Sequence, residues 1–290
     1  MKSGFVAVVG RPNVGKSTLV NALVGSKVAI TSPRPQTTRR AIRGVLNRPG
    51  AQIVFVDTPG VHRPRTALGT HLNALVDTTL ADADAALFLL DATAAVGPGD
   101  RRIGSMLSDA ALPTVCVVNK SDAGDPDEIV DRLATAGEWD LAAYVPVSAL
   151  RGENLGPVVD ELEILLPEGP AYFPEDMATD QTESMLIGEL IREKFLARLR
   201  EELPHSLAVV IEDMETRDDG LVRIHARAIV ERDSQKGIVI GKGGGMLRDA
   251  GTEARAEIER LLGSRVHLDL RVRVEKDWQQ RPGMIERLGL

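Results

Sequence analysis

The chain has 290 residues, of which 43% are hydrophobic and 27% are charged; its net charge is −7 and it has one cysteine. This length is sufficient for two domains, and the composition is that of a globular protein. The acidic balance argues against a protein that coats nucleic acid non-specifically, although it is compatible with a local basic groove. The single cysteine excludes a disulfide within the chain, so a reducing cytoplasm is expected, and the apolar runs are too short to span a bilayer.

The first chemical signature along the chain is GRPNVGKS at residues 10–17, between an apolar run and an amphipathic one. This order of strand, glycine-rich loop and helix is typical of a P-loop. Glycines let backbone N–H groups face phosphate oxygens, and the positive end of the helix dipole points to the same place. Lys16 can reach the β- and γ-phosphates, and the Ser17 hydroxyl can ligate Mg²⁺. The predicted phosphate-binding residues of this loop are Gly10, Arg11, Pro12, Asn13, Val14, Gly15, Lys16, Ser17 and Thr18.

Two later segments are predicted to sense the phosphates. Residues 31–40 contain two prolines and several hydroxyl side chains. This segment is either a plain connection or a switch loop in which Thr38, or else Thr37, ligates Mg²⁺. In the DTPG sequence that follows, Asp57 can hold Mg²⁺ through water and the Gly60 N–H can meet the γ-phosphate. The predicted phosphate-site residues of this sequence are Asp57, Thr58, Pro59 and Gly60.

Two further loops are predicted to bind the base of the nucleotide. In the sequence NKSD, the Asp122 carboxylate can accept two hydrogen bonds from guanine, a donor pair that adenine lacks, so this residue selects GTP. Asn119 can bond the base and neighbouring loops, and the stem of Lys120 can lie along the ring. The Ala149 N–H is expected to bond the guanine carbonyl. The predicted guanine-binding residues are Asn119, Lys120, Asp122, Ser148, Ala149 and Leu150.

Strand-like and helix-like runs alternate through this half of the chain. The predicted strands are 5–9, 41–46, 52–56, 85–90, 114–118 and 144–147, and the predicted helices after the P-loop helix are 67–81, 100–109, 126–136 and 155–166. The alternation predicts an α/β P-loop GTPase domain with a mostly parallel sheet, helices on both faces and its ligand loops at the carboxyl ends of strands. Residues 97–99 are expected to be a loop, and Cys116 a small buried side chain on a strand.

The second half begins after a proline-rich linker at residues 167–174. It predicts a helix at 182–203, strands at 207–214 and 221–229 joined by an Asp-Gly turn, two helices around a GxxG loop, and a strand at 266–274. This order predicts an α+β type II KH domain, whose GxxG loop clamps the backbone of single-stranded RNA. The predicted RNA-binding residues are Gly241, Lys242, Gly243, Gly244, Arg232, Lys236 and Arg248, with Arg227 as a further candidate.

The net charge of this half argues against RNA binding. Residues 171–290 contain 19 Lys and Arg against 23 Asp and Glu, a net charge of −4. RNA binding therefore depends on a local basic patch, and the alternative that these basic residues form only a solvated face stays open.

Together these motifs resemble the Era family of bacterial GTPases across nearly the whole chain. The resemblance rests on GRPNVGKST, QTTR, DTPG, NKSD and SAL in the first half, and on PEGP and ERDSQKGIVIGKGG in the second. It implies a GTP-hydrolysing switch that uses Mg²⁺, binds the 3′ end of 16S ribosomal RNA, assists assembly of the 30S subunit and associates with membrane; we expect a monomer. The expected organisation is a GTP-binding domain at 1–167, a linker at 168–178, a KH domain at 179–276 and a C-terminal tail at 277–290.

The resemblance also carries expectations about catalysis. Val61 stands where Ras-like enzymes have a glutamine that orients water, and the family's substitute is a K⁺ ion near the phosphates, held partly by Asn13. Lys16 is expected to stabilise negative charge on the phosphates, and no side chain is assigned as a general base. GTP hydrolysis is therefore expected to be slow. The chain departs from the family in Gly245, where lysine is common, and in a tail after Lys276 that has few basic residues. Both departures weaken the expected grip on RNA.

Two other functions stay open on the sequence alone. The first is a small-molecule kinase built on a P-loop, against which the NKSD and DTPG sequences argue. The second is a membrane-recruited signalling GTPase coupled to the cell cycle, in which the KH-like domain binds protein.

Overall fold

The structure is a computed structural model, and it describes residues 1–34, 36–61, 64 and 66–290. Contacts within the chain divide it into two units. The first comprises most of residues 1–180, and the second comprises residues 181–290 together with two short segments, 32–34 and 66–68. No helix among the described residues combines the length and the apolarity needed to cross a membrane.

Six of the described strands form a sheet in the first unit, in the order β2-β3-β1-β4-β5-β6. The strands are β1 (Lys2–Gly10), β2 (Ile42–Arg48), β3 (Ala51–Asp57), β4 (Ala85–Asp91), β5 (Thr114–Asn119) and β6 (Ala143–Val147). Neighbouring strands run parallel, except that β2 is antiparallel to β3. The helices are α1 (Lys16–Val24), α2 (Ala67–Ala81), α3 (Pro98–Asp109), α4 (Pro126–Ala136) and α5 (Leu155–Leu165). The predicted α/β class and mostly parallel sheet are thus confirmed.

A hydrophobic core lies on each face of this sheet. Alternate residues of β1 point to opposite faces, so Val6 and Val8 enter one core while Ala7 and Val9 enter the other. Cys116 is fully buried in the second core, where burial raises the pKa of its thiol to about 12. It is therefore the small buried side chain that the sequence predicts.

The start of α3 differs from the sequence prediction, which placed a loop at residues 97–99. The helix begins at Pro98, because proline suits the first turn of a helix, where its missing N–H costs no hydrogen bond. The Asp100 carboxylate accepts the backbone N–H of Gly97 at 2.8 Å and so caps this end.

The proline-rich segment that follows α5 is hydrogen-bonded to the sheet of the first unit. Gln52 is fully buried on β3, and its Oε1 accepts the backbone N–H groups of Tyr172 and Phe173 at 2.7 and 3.0 Å. Its Nε2 donates to Phe173 O and to Asn47 Oδ1, both at 2.8 Å. All four hydrogen-bonding positions of this amide are used, so Gln52 fixes the segment against β2 and β3.

The second unit contains a sheet in the order β7-β8-β9, with β7 antiparallel and β9 parallel to β8. Its strands are β7 (Ala208–Thr216), β8 (Val222–Val230) and β9 (Val266–Val274). Its helices are α6 (Glu183–Leu196), α7 (Leu203–Ser206), α8 (Asp233–Ile240), α9 (Gly245–Leu262) and α10 (Pro282–Arg287). The predicted order of elements, with a GxxG loop between two helices, is confirmed.

One expectation for this unit is wrong. The single helix predicted at 182–203 ends at Leu196, and the chain then turns through Glu201, which has a φ of +56°, before α7 begins. Pro204 lacks the N–H that a continuous helix would need. The segment 277–290, predicted as a C-terminal tail, packs into this unit: Trp278 is fully buried and donates its indole N–H to Ser206 O at 2.9 Å. Burying so large an apolar side chain fixes this end of the chain.

Candidate functional site

The P-loop connects the end of β1 to α1, as its motif predicts. Gly15 lies at the helix start with a φ of +96°, in the left-handed region that favours glycine. A Cβ atom at this position would lie 2.3 Å from Asn119 Nδ2. Glycine is therefore required here both by the backbone conformation and by the close approach of the NKSD loop.

Lys16 is buried at the centre of the loop. Its Nζ donates to Gly10 O and Arg11 O, each at 3.2 Å. Burial lowers the pKa of this lysine from 10.5 to about 8, although the nearby Asp57 acts in the opposite direction. The structure thus holds a buried amine among loop carbonyls, where an anionic ligand would stabilise its protonated form.

Ser17, Thr38 and Asp57 meet in one buried cluster. Ser17 Oγ donates to Asp57 Oδ2 at 2.6 Å, Thr38 Oγ1 donates to the same oxygen at 3.1 Å, and the two hydroxyls lie 3.0 Å apart. Asp57 Oδ1 is buried and has no hydrogen-bond partner within the part of the chain that the structure describes. Burial raises the pKa of Asp57, against the opposing effects of Lys16 and the two hydroxyls.

These three residues fit a bound Mg²⁺. The ion prefers hard oxygen ligands, and the cluster supplies two hydroxyls and a carboxylate with one unpartnered oxygen. Thr38, which is preferred over Thr37 as the predicted Mg²⁺ ligand, lies in the cluster. Thr37 lies beside it in the chain at a more exposed position.

The DTPG loop packs against the P-loop. Thr58 Oγ1 donates to Val8 O at 2.7 Å, so its side chain anchors the loop to β1. A Cβ atom at Gly60 would lie 2.8 Å from the Pro12 backbone, so the two loops are in close contact at a glycine. Contact between Gly60 and a γ-phosphate stays a prediction.

The two predicted base loops are joined to each other and to the P-loop by Asn119. Its Nδ2 donates to Val14 O at 2.8 Å, and its Oδ1 accepts the Ala149 N–H at 3.0 Å. Asp122 Oδ1 accepts the Ser148 hydroxyl at 2.6 Å, which orients the carboxylate. These contacts bring the NKSD and SAL loops together at the carboxyl ends of β5 and β6.

Leu150 contributes differently from the other residues of its loop. It is 79% exposed, so its side chain contributes little to the core. The contribution expected from the SAL loop therefore rests on backbone groups and on the Ser148 hydroxyl.

Two carboxylates that the sequence analysis did not assign to the site hold residues of its loops. Asp100 Oδ1 accepts the Arg11 Nε–H at 2.7 Å, so this guanidinium is engaged by α3. Asp91 Oδ2 accepts a hydrogen bond from Lys120 Nζ at 2.5 Å. A signal was available for Asp91, because it ends a buried strand next to the strand that precedes NKSD.

The GxxG loop of the second unit depends on glycine conformations. Gly241, Gly243 and Gly244 have φ values of +75°, +59° and +73°. A Cβ atom at Gly241 would lie 2.7 Å from Met246 Cβ. The backbone between α8 and α9 can therefore take this tight path, and approach a ligand closely, because side chains are missing.

A groove of about 420 Å³ runs beside this loop, between α9 and β9. Arg248 lines it and donates to Gly243 O at 2.9 Å, so the loop and the groove are connected. Thr252, Arg255 and His267 also line the groove and were not singled out from the sequence. They are separated from the GxxG motif along the chain, and only the packing of α9 on β9 brings them together.

The other predicted basic residues are distributed around the loop. Lys242 is exposed within it, and Arg232 and Lys236 lie at α8. Arg227 pairs with Glu212 at 2.7 Å, so its charge is compensated. Arg227 is therefore the weakest of the candidates.

Taken together, the P-loop with its serine–threonine–aspartate cluster, the NKSD loop and the GxxG helix pair define a P-loop GTPase that carries a KH domain.

Comparisons with known proteins agree with this class. The family model described as 50S ribosome-binding GTPase matches residues 5–120, and the KH domain model matches residues 202–279. GTPase Era of Mycobacterium avium (strain 104) and GTPase Era of Mycobacterium tuberculosis (strain ATCC 25618 / H37Rv) are each 53% identical, over 99% of this chain and 98% of theirs. The chain belongs to the Era family of GTPases.

Solved structures of Era have the same fold. A variant of Aquifex aeolicus Era bound to GDP·AlF4⁻ matches with a TM-score of 0.94 and 41% identity, covering 100% of this chain and 99% of that one. Era in complex with MgGDPNP and nucleotides 1506–1542 of 16S ribosomal RNA matches with the same TM-score, identity and coverage. Both predicted domain classes and the predicted GTPase family are thus confirmed.

Proposed function

We propose that this GTPase is a molecular switch whose second unit binds 16S ribosomal RNA near its 3′ end and so assists assembly of the 30S subunit. The observation that carries the proposal is the full-length similarity to Era in complex with nucleotides 1506–1542 of 16S ribosomal RNA. The groove beside the GxxG loop supports it, because this chain has the glycines and the lining arginines that such a ligand needs.

Ser17, Thr38 and Asp57 would hold Mg²⁺, the last through water. When bound, this ion offsets charge on the β- and γ-phosphates. Lys16 adds a positive charge from the P-loop, and Asn119 with Asp122 orients the base. Arg11 is paired with Asp100, so it is not poised as an arginine finger. Slow intrinsic hydrolysis follows from these assignments.

Asn13 is the proposed K⁺ ligand. It lies in the P-loop with a φ of +67°, a conformation that asparagine tolerates better than most side chains. The expected result is faster GTP hydrolysis in K⁺ than in Na⁺ at equal ionic strength. Equal rates in the two salts would remove this assignment.

The proposed RNA site is the GxxG loop with the groove beside it. The GxxG residues would pass close to the sugar-phosphate backbone, Lys242 and Arg248 would contact phosphates, and Arg232 and Lys236 would extend the basic surface along α8. The acidic net charge of this half makes binding depend on these few cations. We therefore expect a steep loss of affinity for each one that is removed.

The test uses an RNA with the 3′-terminal sequence of 16S ribosomal RNA and a pair of charge-reversal variants. Lys242→Asp is expected to weaken binding about tenfold, because it replaces a phosphate contact with a like charge. Arg217→Asp makes the same change in the exposed turn between β7 and β8 and is expected to bind as the unmodified chain does. Equal affinities for the two variants would remove the loop from the site.

Crosslinking in cells followed by sequencing of bound RNA tests the function as a whole. Enrichment of the 3′ end of 16S ribosomal RNA is the expected result. Recovery of no ribosomal RNA above background would overturn the proposal. A monomeric state, a cytoplasmic location and peripheral membrane association stay predictions from the sequence, to be tested by sedimentation and cell fractionation.

A further inference from the structure

Asp91 ends strand β4 and holds the lysine of the NKSD loop. Its Oδ2 accepts a hydrogen bond from Lys120 Nζ at 2.5 Å. Its Oδ1 accepts the backbone N–H of Thr93 at 2.9 Å and the Thr93 hydroxyl at 2.6 Å. One carboxylate oxygen is thus fixed by the chain that follows the strand, and the other is directed at the ammonium group.

The register of the sheet makes this pairing possible. Asp91 is the partner of Asn119 in the parallel ladder between β4 and β5, so the two strands end side by side. Lys120 then turns with a φ of +66°, which is unusual for a residue other than glycine. Its side chain returns to the end of the neighbouring strand, where the carboxylate meets it.

The ion pair is not needed to join the two strands. The ladder from Ala86 to Asp91 pairs with Thr114 to Asn119, and the Ala92 N–H donates to Asn119 O at 2.8 Å beyond it. The strands are therefore connected by backbone hydrogen bonds on both sides of the carboxylate. A purely structural role would add little to them.

We propose that Asp91 is a positioning residue for the guanine nucleotide. By holding the ammonium group at the end of β4, it keeps the aliphatic stem of Lys120 extended as one wall of the base site. The Lys120 side chain is 36% exposed, whereas that of Asp91 is 13% exposed. The stem is accessible to a ligand while its charged end is compensated by a partly shielded carboxylate.

This role predicts which step of the cycle changes when the pair is lost. A released Lys120 side chain samples several rotamers and no longer presents a fixed wall, so the bound nucleotide loses contact area and leaves faster. The γ-phosphate end of the site is untouched, since its residues lie on β1, α1 and β3 and the loops that follow them. Nucleotide release and KM should therefore change more than kcat.

The first experiment measures dissociation of a fluorescent GDP from the Asp91→Asn variant. Asparagine keeps the shape of the side chain but removes the charge. Release is expected to be about tenfold faster, with KM for GTP rising more than kcat changes. Asp84→Asn is the matched control: this carboxylate precedes β4 at its opposite end and accepts the Phe5 N–H at 2.8 Å, so release should stay at the unmodified rate.

A double-mutant cycle separates positioning from a general loss of stability. Lys120→Met leaves a stem of similar length that the carboxylate cannot hold, so GDP release should be about as fast as in Asp91→Asn. Adding Asp91→Asn to Lys120→Met should then change release by less than about twofold. If Asp91→Asn folds poorly, Lys120→Met alone remains a test, because it breaks the same ion pair from the other side; unchanged GDP release in that variant would overturn the proposal.

Two further results would overturn the proposal. The first is unchanged GDP release in Asp91→Asn, which would mean that the ammonium group needs no partner. The second is an equal acceleration by Asp91→Asn with and without Lys120→Met, which would mean that the carboxylate acts through something other than the lysine.

Discussion

The buried Lys16 predicts that nucleotide affinity falls as the pH rises above neutrality. In the protein without nucleotide, burial lowers the pKa of Lys16 to about 8. Phosphates bound beside the amine would favour its charged form and return this pKa toward the ordinary value of 10.5. At any pH at which Lys16 is deprotonated in the nucleotide-free protein, binding should therefore take up a proton.

The size of the effect follows from the fraction of Lys16 that is protonated before binding. This fraction is nearly complete at pH 7, about one half at pH 8 and about one tenth at pH 9. GDP affinity should thus fall about tenfold between pH 7 and pH 9, which is roughly 1.4 kcal/mol. At pH 8.5, binding should take up about three quarters of a proton.

The contribution of the same lysine to folding has the opposite sign. Since its pKa is lower in the fold than in the unfolded chain, the unfolded chain binds more protons between about pH 8 and pH 10.5. The stability of the nucleotide-free fold therefore increases with pH across that window, while nucleotide affinity decreases. Weaker nucleotide binding at high pH without unfolding therefore distinguishes deprotonation of Lys16 from a general loss of stability.

The assay is calorimetric titration with GDP at several pH values in pairs of buffers that differ in ionisation enthalpy. The difference between paired buffers gives the number of protons taken up. Guanine also ionises in alkaline solution, so Lys16→Met serves as the control: its residual pH dependence reports the nucleotide alone. Affinity that changes by less than twofold between pH 7 and pH 9, with no proton uptake, would show that Lys16 is already fully protonated in the nucleotide-free protein.

Three further predictions concern side chains with several partners. Asp122→Asn should shift base preference from guanine toward xanthine, and unchanged preference in competition binding would remove Asp122 as the base reader. Asn119→Ala should lower the free energy of unfolding of the nucleotide-free protein by about 3 kcal/mol in urea denaturation, because it leaves a buried carbonyl and a buried N–H unpaired. Asn47→Ala is the comparison: it removes two hydrogen bonds that are less buried, so it should lower the free energy of unfolding by about 1 kcal/mol. Gln52→Ala should speed proteolysis within residues 167–174, and a cleavage rate equal to that of the unmodified chain would show that its hydrogen bonds do not hold this segment.

The class of both units can be predicted from the sequence alone. The P-loop, DTPG and NKSD motifs are short, and their chemistry depends on neighbouring residues, so they can be interpreted without knowledge of the fold. The alternation of strands and helices predicts a parallel sheet because parallel strands need crossovers, and the GxxG loop between two helices is again a local pattern. The α/β GTPase domain and the KH domain could therefore both be predicted.

Which side chains hold the site loops in place depends on the tertiary structure. Asp91 and Lys120 are 29 residues apart, and Arg11 and Asp100 are 89 apart. Such pairs depend on strand order and register, which bring the ends of β4 and β5 together and set α3 beside the P-loop. The local sequence pattern does not predict these pairs, because the strand order and register that bring the two partners together are set only when the sheet assembles.

The contacts of the predicted linker and of the predicted tail also depend on the tertiary structure. Gln52 binds the backbone of the first segment, and Trp278 anchors the second in the interior of its unit. In the first segment, a buried side chain from elsewhere in the chain supplies the hydrogen bonds that the backbone needs. In the second, the segment's own tryptophan supplies the apolar contact, and its indole N–H finds a carbonyl in the interior.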